Sequence, residues 1–288
     1  MNKKQRNIRN RLLVFFTGIP AIFALLVLFP QANHFATAIA VVLVSCIATM
    51  ELASLFEPEI TVYPGSRVFT PLLGGIYPVL WYLEGMNFIP VDSAVGASVL
   101  VIAIILGLQA FRRDEKSFPH IKGFVSTHIL LLFYPGIFIA YIIRIATLPM
   151  PSHLLILFVI TVFLNDSTAY AGGMLFGKGN SKILPISPNK SLAGFIFGLL
   201  AGMLVMILAS IMFPGLLPKG PIAAMLFGLL ISIITIIGDL AESAIKRSAA
   251  QKDSGSIIPG RGGLLDSVDS LAFAAPFFYY GYLFLQGV

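Results

Sequence analysis

The chain is a succession of apolar runs, each about as long as a bilayer is thick. A helix needs about 20 mostly apolar residues to cross the hydrocarbon core. Read with that window, the sequence offers nine candidate spans, near 12–30, 36–56, 68–84, 93–111, 123–143, 152–175, 192–213, 221–243 and 268–287. The third is the weakest, being short and carrying Pro71 and Pro78. Transmembrane helices tolerate proline where neighbours re-satisfy the backbone. The predicted fold is all-α, a polytopic integral membrane protein of about nine helices. Composition agrees: 57% of the 288 residues are hydrophobic and 11% charged, against about 25% charged in a soluble domain.

Lys and Arg set the predicted orientation. With the N-terminus in the cytoplasm, seventeen of the nineteen fall on the cytoplasmic side, and only Arg144 and Lys219 fall opposite. That split follows the positive-inside rule and favours an odd number of spans. It also accounts for the net charge of +6, which therefore gives no reason to expect a nucleic-acid partner. The first span is longer than the about 7–15 residues of a signal-peptide core and lacks a small-residue cleavage site, so it reads as a retained helix. The one cysteine, Cys46, lies within an apolar run, which excludes a disulfide or Cys-metal framework.

Two regions are expected, 1–150 with about five spans and 151–288 with about four. No internal repeat supports an inverted-repeat transporter. The longest loops, 176–191 and 244–267, are both predicted to be cytoplasmic and are rich in Gly, Ser, Pro and Lys. Loops on a rigid scaffold commonly carry binding residues, so function is expected on the cytoplasmic face.

The stretch 238–269 holds five of the thirteen carboxylates and four of the nineteen Lys and Arg. Helical spacing puts Asp239, Glu242, Ser243 and Lys246 on one face of the eighth span. Ionisable groups at membrane depth are costly and usually face a bundle interior or wet cavity. An ion-paired helix end with Lys246 snorkelling is the plainer alternative. Asp266 and Asp269 stand three apart at the start of the ninth span, where a helix N-terminus favours negative charge. Capping explains one of them, and a second carboxylate on the same face suits metal binding better. All these donors are hard oxygens, which suit Mg²⁺ held by one or two carboxylates plus substrate phosphates and water.

Between the two elements lie Lys252, Asp253 and Gly255, then Pro259, Gly260, Arg261, Gly262 and Gly263. Glycines let backbone N–H groups approach an anion, so this turn is read as a phosphate cradle. Upstream, Asp166 sits inside the sixth span, followed by Gly177-Lys178 and Ser187-Pro188-Asn189-Lys190-Ser191. Asp166 is either a hydrogen-bonded packing residue or a wall of the same cavity. Glu51, inside the second span, fits a structural acid as well as a site residue.

At these residues the sequence resembles the phosphatidate cytidylyltransferase (CDP-diacylglycerol synthase) family. Ser243, Ile245, Lys246, Arg247, Lys252, Asp253, Gly255, Ile258, Pro259, Gly262, Gly263, Leu264, Asp266, Val268 and Asp269 match the C-terminal signature without a gap. The Asn165-Asp166-Ser167, Phe176-Gly177-Lys178 and Ser187-Pro188-x-Lys190-Ser191 patterns, and Glu51, are also similar to the family. Four positions depart: Arg261 stands for His, Ser267 for Arg, Asn189 for Lys, and Ala193 for a Glu. The first keeps a cation; the others remove two cations and an acid.

The resemblance implies that CTP and phosphatidate give CDP-diacylglycerol and pyrophosphate, with Mg²⁺ and with room for a second cation, K⁺ or Mg²⁺. It implies metal ligation by Asp239, Asp266, Asp269 and Glu242, and catalytic roles for Asp239, Asp266, Lys246 and Lys252. Substrate binding would fall to Ser243, Arg247, Asp166, Lys190, Ser187, Arg261, Gly262 and Gly263. It also implies a bacterial inner membrane, other anionic lipids as partners, and a homodimer, although no span carries a GxxxG that argues for one. Two other functions fit the residues less well. A CTP-dependent polyprenol or phytol kinase would release CDP, and a non-catalytic cation transporter would place its carboxylates at the midplane of broken helices.

Overall fold

The computed structural model describes residues 17–56, 66–111, 115–177, 179, 184–260 and 262–287. Among the described residues the fold is all-α, and the one β-type pairing is an isolated bridge between Ile258 and Gly262. Among the described residues nine helical segments follow the apolar runs. They are α1 (Thr17–Leu28), α2 (Gln31–Leu55), α3 (Ser66–Gly85) and α4 (Ser93–Ala110), then α5 (Glu115–Ile145), α6 (Pro151–Phe176), α7 (Leu192–Met212), α8 (Gly220–Ser248) and α9 (Leu265–Gln286). Seven of them, all but α1 and α3, are long and apolar enough to cross a membrane.

The chain forms two compact units. One contains 1–147 and 253–267; the other contains 148–252 and 268–288. The segment 253–267, which follows α8, belongs with the N-terminal helices.

In the first unit α2 and α3 pack closely because α3 offers Gly74 and Gly75 to Ser45, Thr49 and Cys46 of α2. Ser45 Oγ lies 2.7 Å from the Gly74 carbonyl and 2.5 Å from that of Pro135. Pro135 lacks an N–H and cannot sustain an α ladder. Accordingly α5 widens to a π-helix over Leu132–Phe138 before returning to α geometry. Buried Tyr77, Ala94, Leu132 and Ala140 form the core here, and Tyr77 donates its hydroxyl to Ser98 Oγ at 2.9 Å. At one end, the Glu84 carboxylate accepts the Ala94 N–H at 2.8 Å and pairs with Arg144 at 3.7 Å.

In the second unit α7 lies between α6 and α8. Its buried face carries Gly194, Gly198 and Gly202, each four residues after the last. A Cβ on Gly194 would meet the Ala169 carbonyl of α6 at 2.6 Å, and one on Gly198 would meet Asn165 at 3.2 Å. Gly202 and Gly228 face each other, backbone against backbone, where α7 crosses α8. In lipid, helices associate through such close small-residue contacts rather than through hydrophobic burial. The glycine stripe therefore serves packing within the chain. Phe278 of α9 completes the core, 5.1 Å from Phe158 and 5.2 Å from Phe227 between ring centroids.

Candidate active site

The glycine stripe holds two acid-bearing helices on either side of α7. Asp166 lies on α6, one turn before the Ala169 carbonyl that abuts Gly194. Lys190 sits just before α7, whose N-cap, Ser191, accepts the Gly194 N–H at 3.1 Å. Asp239 lies on α8 directly after Gly238, whose missing side chain lets α8 approach Phe273 of α9. Lys190 forms an ion pair with Asp239, and Lys246 forms one with buried Glu242 a turn earlier on α8. Asp269, 8% exposed, lies within electrostatic reach of Glu242, Asp166 and Lys246. Lys190 in turn feels both Asp166 and Asp269. Burial pushes its ammonium below the usual lysine range, while those two carboxylates pull it back up.

Four carboxylates and two lysines thus gather in the second unit, a formal charge of −2. In charge and in oxygen chemistry this donor set fits a hard divalent cation. No three His, Cys, Asp or Glu groups among the described residues converge closely enough to hold one. Lysine ammonium groups stand on Asp239 and Glu242 where a cation's charge would otherwise fall. Ser243 follows Glu242 on α8 and is half-buried. Arg247 is exposed and donates through Nη1 to the Gln251 carbonyl at 2.9 Å; Lys252 beyond it is exposed too. Ser187 closes the turn that presents Lys190, accepting the Lys190 N–H at 3.1 Å.

The glycine-rich turn lies in the first unit and is built differently from a phosphate cradle. Gly262 donates its N–H to the Ile258 carbonyl at 3.1 Å, and Gly263 donates to Asp266 Oδ2 at 2.7 Å. Leu264 and Leu265 donate to the two oxygens of Glu51 at 2.9 and 2.7 Å. Four successive N–H groups, those of Gly262 to Leu265, are therefore donated within the protein. Asp266 Oδ2 also accepts the Ser254 N–H at 2.9 Å, so this carboxylate organises the turn at the start of α9. Arg261 lies outside the described residues.

Sequence reasoning left two features unread. The four-residue spacing of Gly194, Gly198 and Gly202 signalled a helix-packing face. Glu51 stood out as an acid in an apolar run, but its partners are more than 200 residues away, and no local pattern marks such a contact.

Comparison with known proteins bears on what this arrangement serves. The model of the cytidylyltransferase family matches residues 9–285. A phosphatidate cytidylyltransferase of Helicobacter pylori is 32% identical over 195 residues, which cover 68% of this chain and 66% of that protein. The match thus spans just under two thirds of that relative's length. Proteins of the same name from Bacillus subtilis and Haemophilus influenzae are 31% and 30% identical. The Bacillus match covers 81% of this chain and 84% of that protein; the Haemophilus match covers 96% and 99%. A nearly full-length match to the family model, joined to an acid–lysine cluster at the ends of apolar helices, places this chain in the cytidylyltransferase family.

Proposed function

We propose that the protein is a phosphatidate cytidylyltransferase, converting CTP and phosphatidate to CDP-diacylglycerol and pyrophosphate. The observation that carries this is the cluster of Asp166, Lys190, Asp239, Glu242, Lys246 and Asp269 in a member of the cytidylyltransferase family. The phosphatidate phosphate is already an anionic nucleophile, so the transfer needs no dedicated general base. One of its oxygens forms a bond to the α-phosphorus of CTP. The bond from that phosphorus to the bridging oxygen breaks, and its electron pair leaves with pyrophosphate.

The difficulty is to hold two polyanions in line, and positioning can supply several kcal/mol, on the order of 7–11 at best. Lys190, Lys246, Arg247 and Lys252 supply positive charge, with Ser187 and Ser243 as hydroxyl partners. With the N–H groups of Gly262 to Leu265 already donated, phosphate recognition rests on these side chains and on Arg261. The carboxylates of Asp239, Glu242 and Asp269 would hold Mg²⁺, converging on it only as Lys190 and Lys246 leave Asp239 and Glu242 for the substrate phosphates; the sequence signature adds Asp266. The ion, when bound, would neutralise phosphate charge and polarise the α-phosphoryl group. The placement of Lys and Arg along the sequence supports a cytoplasmic active site, where CTP is present, and the bacterial relatives support an inner-membrane location.

The test is to supply the purified protein with labelled CTP, phosphatidate and Mg²⁺ and identify the products. Pyrophosphate and a CDP-lipid are expected. Release of CDP with a phosphorylated alcohol would make it a lipid kinase, and ion flux without pyrophosphate would make it a transporter.

A further inference from the structure

Glu51 belongs to α2, yet its carboxylate works on a segment more than 200 residues later. It accepts the N–H groups of Leu264, just before α9, and of Leu265, its first residue. Ser254 Oγ–H donates to Glu51 Oε2 at 3.3 Å, and Ser254 Oγ in turn accepts the Asp266 N–H at 3.3 Å. The opening N–H groups of a helix have no partner inside it. Here three of the four are met by side chains, two by Glu51 and one by the serine that Glu51 engages, and the fourth, that of Ser267, bonds to the Leu264 carbonyl at 2.9 Å. Glu51 is 6% exposed, a costly position for a carboxylate unless its hydrogen bonds are complete.

Two glycines explain how the carboxylate fits. A Cβ on Gly255 would come 2.6 Å from Glu51 Oε1, and one on Gly263 would come 2.5 Å from Oε2. Neither residue has a positive φ, so neither needs glycine for its conformation. They are glycines because the Glu51 carboxylate, joined at Gly263 by the Ser254 hydroxyl, occupies the space a side chain would take. The turn is thus shaped around an internal anion, which fills the place that a substrate phosphate would take in a cradle.

We infer that Glu51 is a positioning residue for the reaction: it folds the 254–265 turn and, through Ser254, fixes the start of α9 and the carboxylate of Asp266. The catalytic part of this inference rests on the proposed cytidylyltransferase activity; the structural part does not. A neutral Gln can accept one of the two N–H groups but turns an N–H₂ toward the other. Asp is one methylene too short to reach from α2.

The test uses the full-length purified protein, with Glu51→Gln and Glu51→Asp compared to Glu84→Gln, a buried carboxylate that meets the N-terminus of α4 in the same unit. Hydrogen exchange of the peptide covering 254–266 is expected to speed up by at least about tenfold at both Leu264 and Leu265 in Glu51→Asp and at one of the two in Glu51→Gln, the size expected for losing a charge-assisted bond. It should stay unchanged in Glu84→Gln. The turnover number should fall at least about tenfold in both Glu51 variants, with the CTP KM within about threefold, as expected when geometry rather than binding is lost. Wild-type exchange rates at Leu264 and Leu265 in Glu51→Gln would overturn the positioning role. Faster exchange with unchanged turnover, or an equal fall in Glu84→Gln, would overturn its catalytic consequence. If the wild-type protein makes no CDP-lipid, the activity assignment fails, and the exchange result still decides what Glu51 does.

Discussion

Gly194→Ala probes whether the α6–α7 contact sets the site. The added Cβ would sit 2.6 Å from the Ala169 carbonyl oxygen, where ordinary contact begins at 3.4 Å. The helices must therefore part by up to 3.4 − 2.6 = 0.8 Å, and because the obstacle is backbone no rotamer change relieves it. Overpacking of this kind costs about 1–3 kcal/mol. The lower unfolded-state entropy of Ala returns about 0.4–1 kcal/mol, leaving a net loss of no more than about 2.6 kcal/mol. Function should suffer more than stability. Asp166 rides on α6 and Lys190 on the approach to α7, so the same displacement separates them. Misplacement by 1 Å can cost on the order of 10²-fold in rate. The assay pairs CDP-lipid turnover with thermal unfolding of the purified protein. Gly198→Ala, whose nearest atoms are 3.2 Å away, should be milder, and Gly215→Ala, with nothing within 4 Å, should be neutral. Wild-type turnover in Gly194→Ala, or a greater loss in Gly198→Ala, would refute the packing account.

Asp239→Asn and Asp266→Asn should each lower Mg²⁺-dependent CDP-lipid formation by at least about 10²-fold in protein that still folds, and near-normal turnover in both would sink the metal assignment. At the other end of the first unit, Arg144→Met leaves the buried Glu84 carboxylate without its ion-pair partner. Unfolding measurements should show Arg144→Met with Glu84→Gln costing less than Arg144→Met alone, because the double variant removes the stranded charge.

The sequence and the structure agree most closely where the signal is local. Apolar run length located most of the helical segments within about five residues, the start of α5 at Glu115 rather than near 123 excepted, with 12–16 outside the described residues; a helix satisfies its own backbone and needs no partner to be recognised. The spacing of Asp239, Glu242 and Lys246 likewise survives unchanged, because one helix face is fixed by its own period. The loop 244–267 was harder. Its glycines suggested a cradle for phosphate, and two of them, Gly255 and Gly263, turn out to make room for Glu51. A run of Gly and Ser signals close approach but not what approaches.

The sequence by itself determined the all-α membrane architecture, the family, and the residues that carry charge. Periodicity, composition and a gapless signature are properties of neighbouring residues, and neighbours are legible in one dimension. Only the tertiary structure decided the partners: Lys190 on Asp239, Lys246 on Glu242, and Glu51 on the start of α9. The Lys190 and Glu51 pairings join segments remote in the chain, and they arise where glycines let backbones close to within contact of other helices. A buried carboxylate must then take whatever donors that packing brings to it.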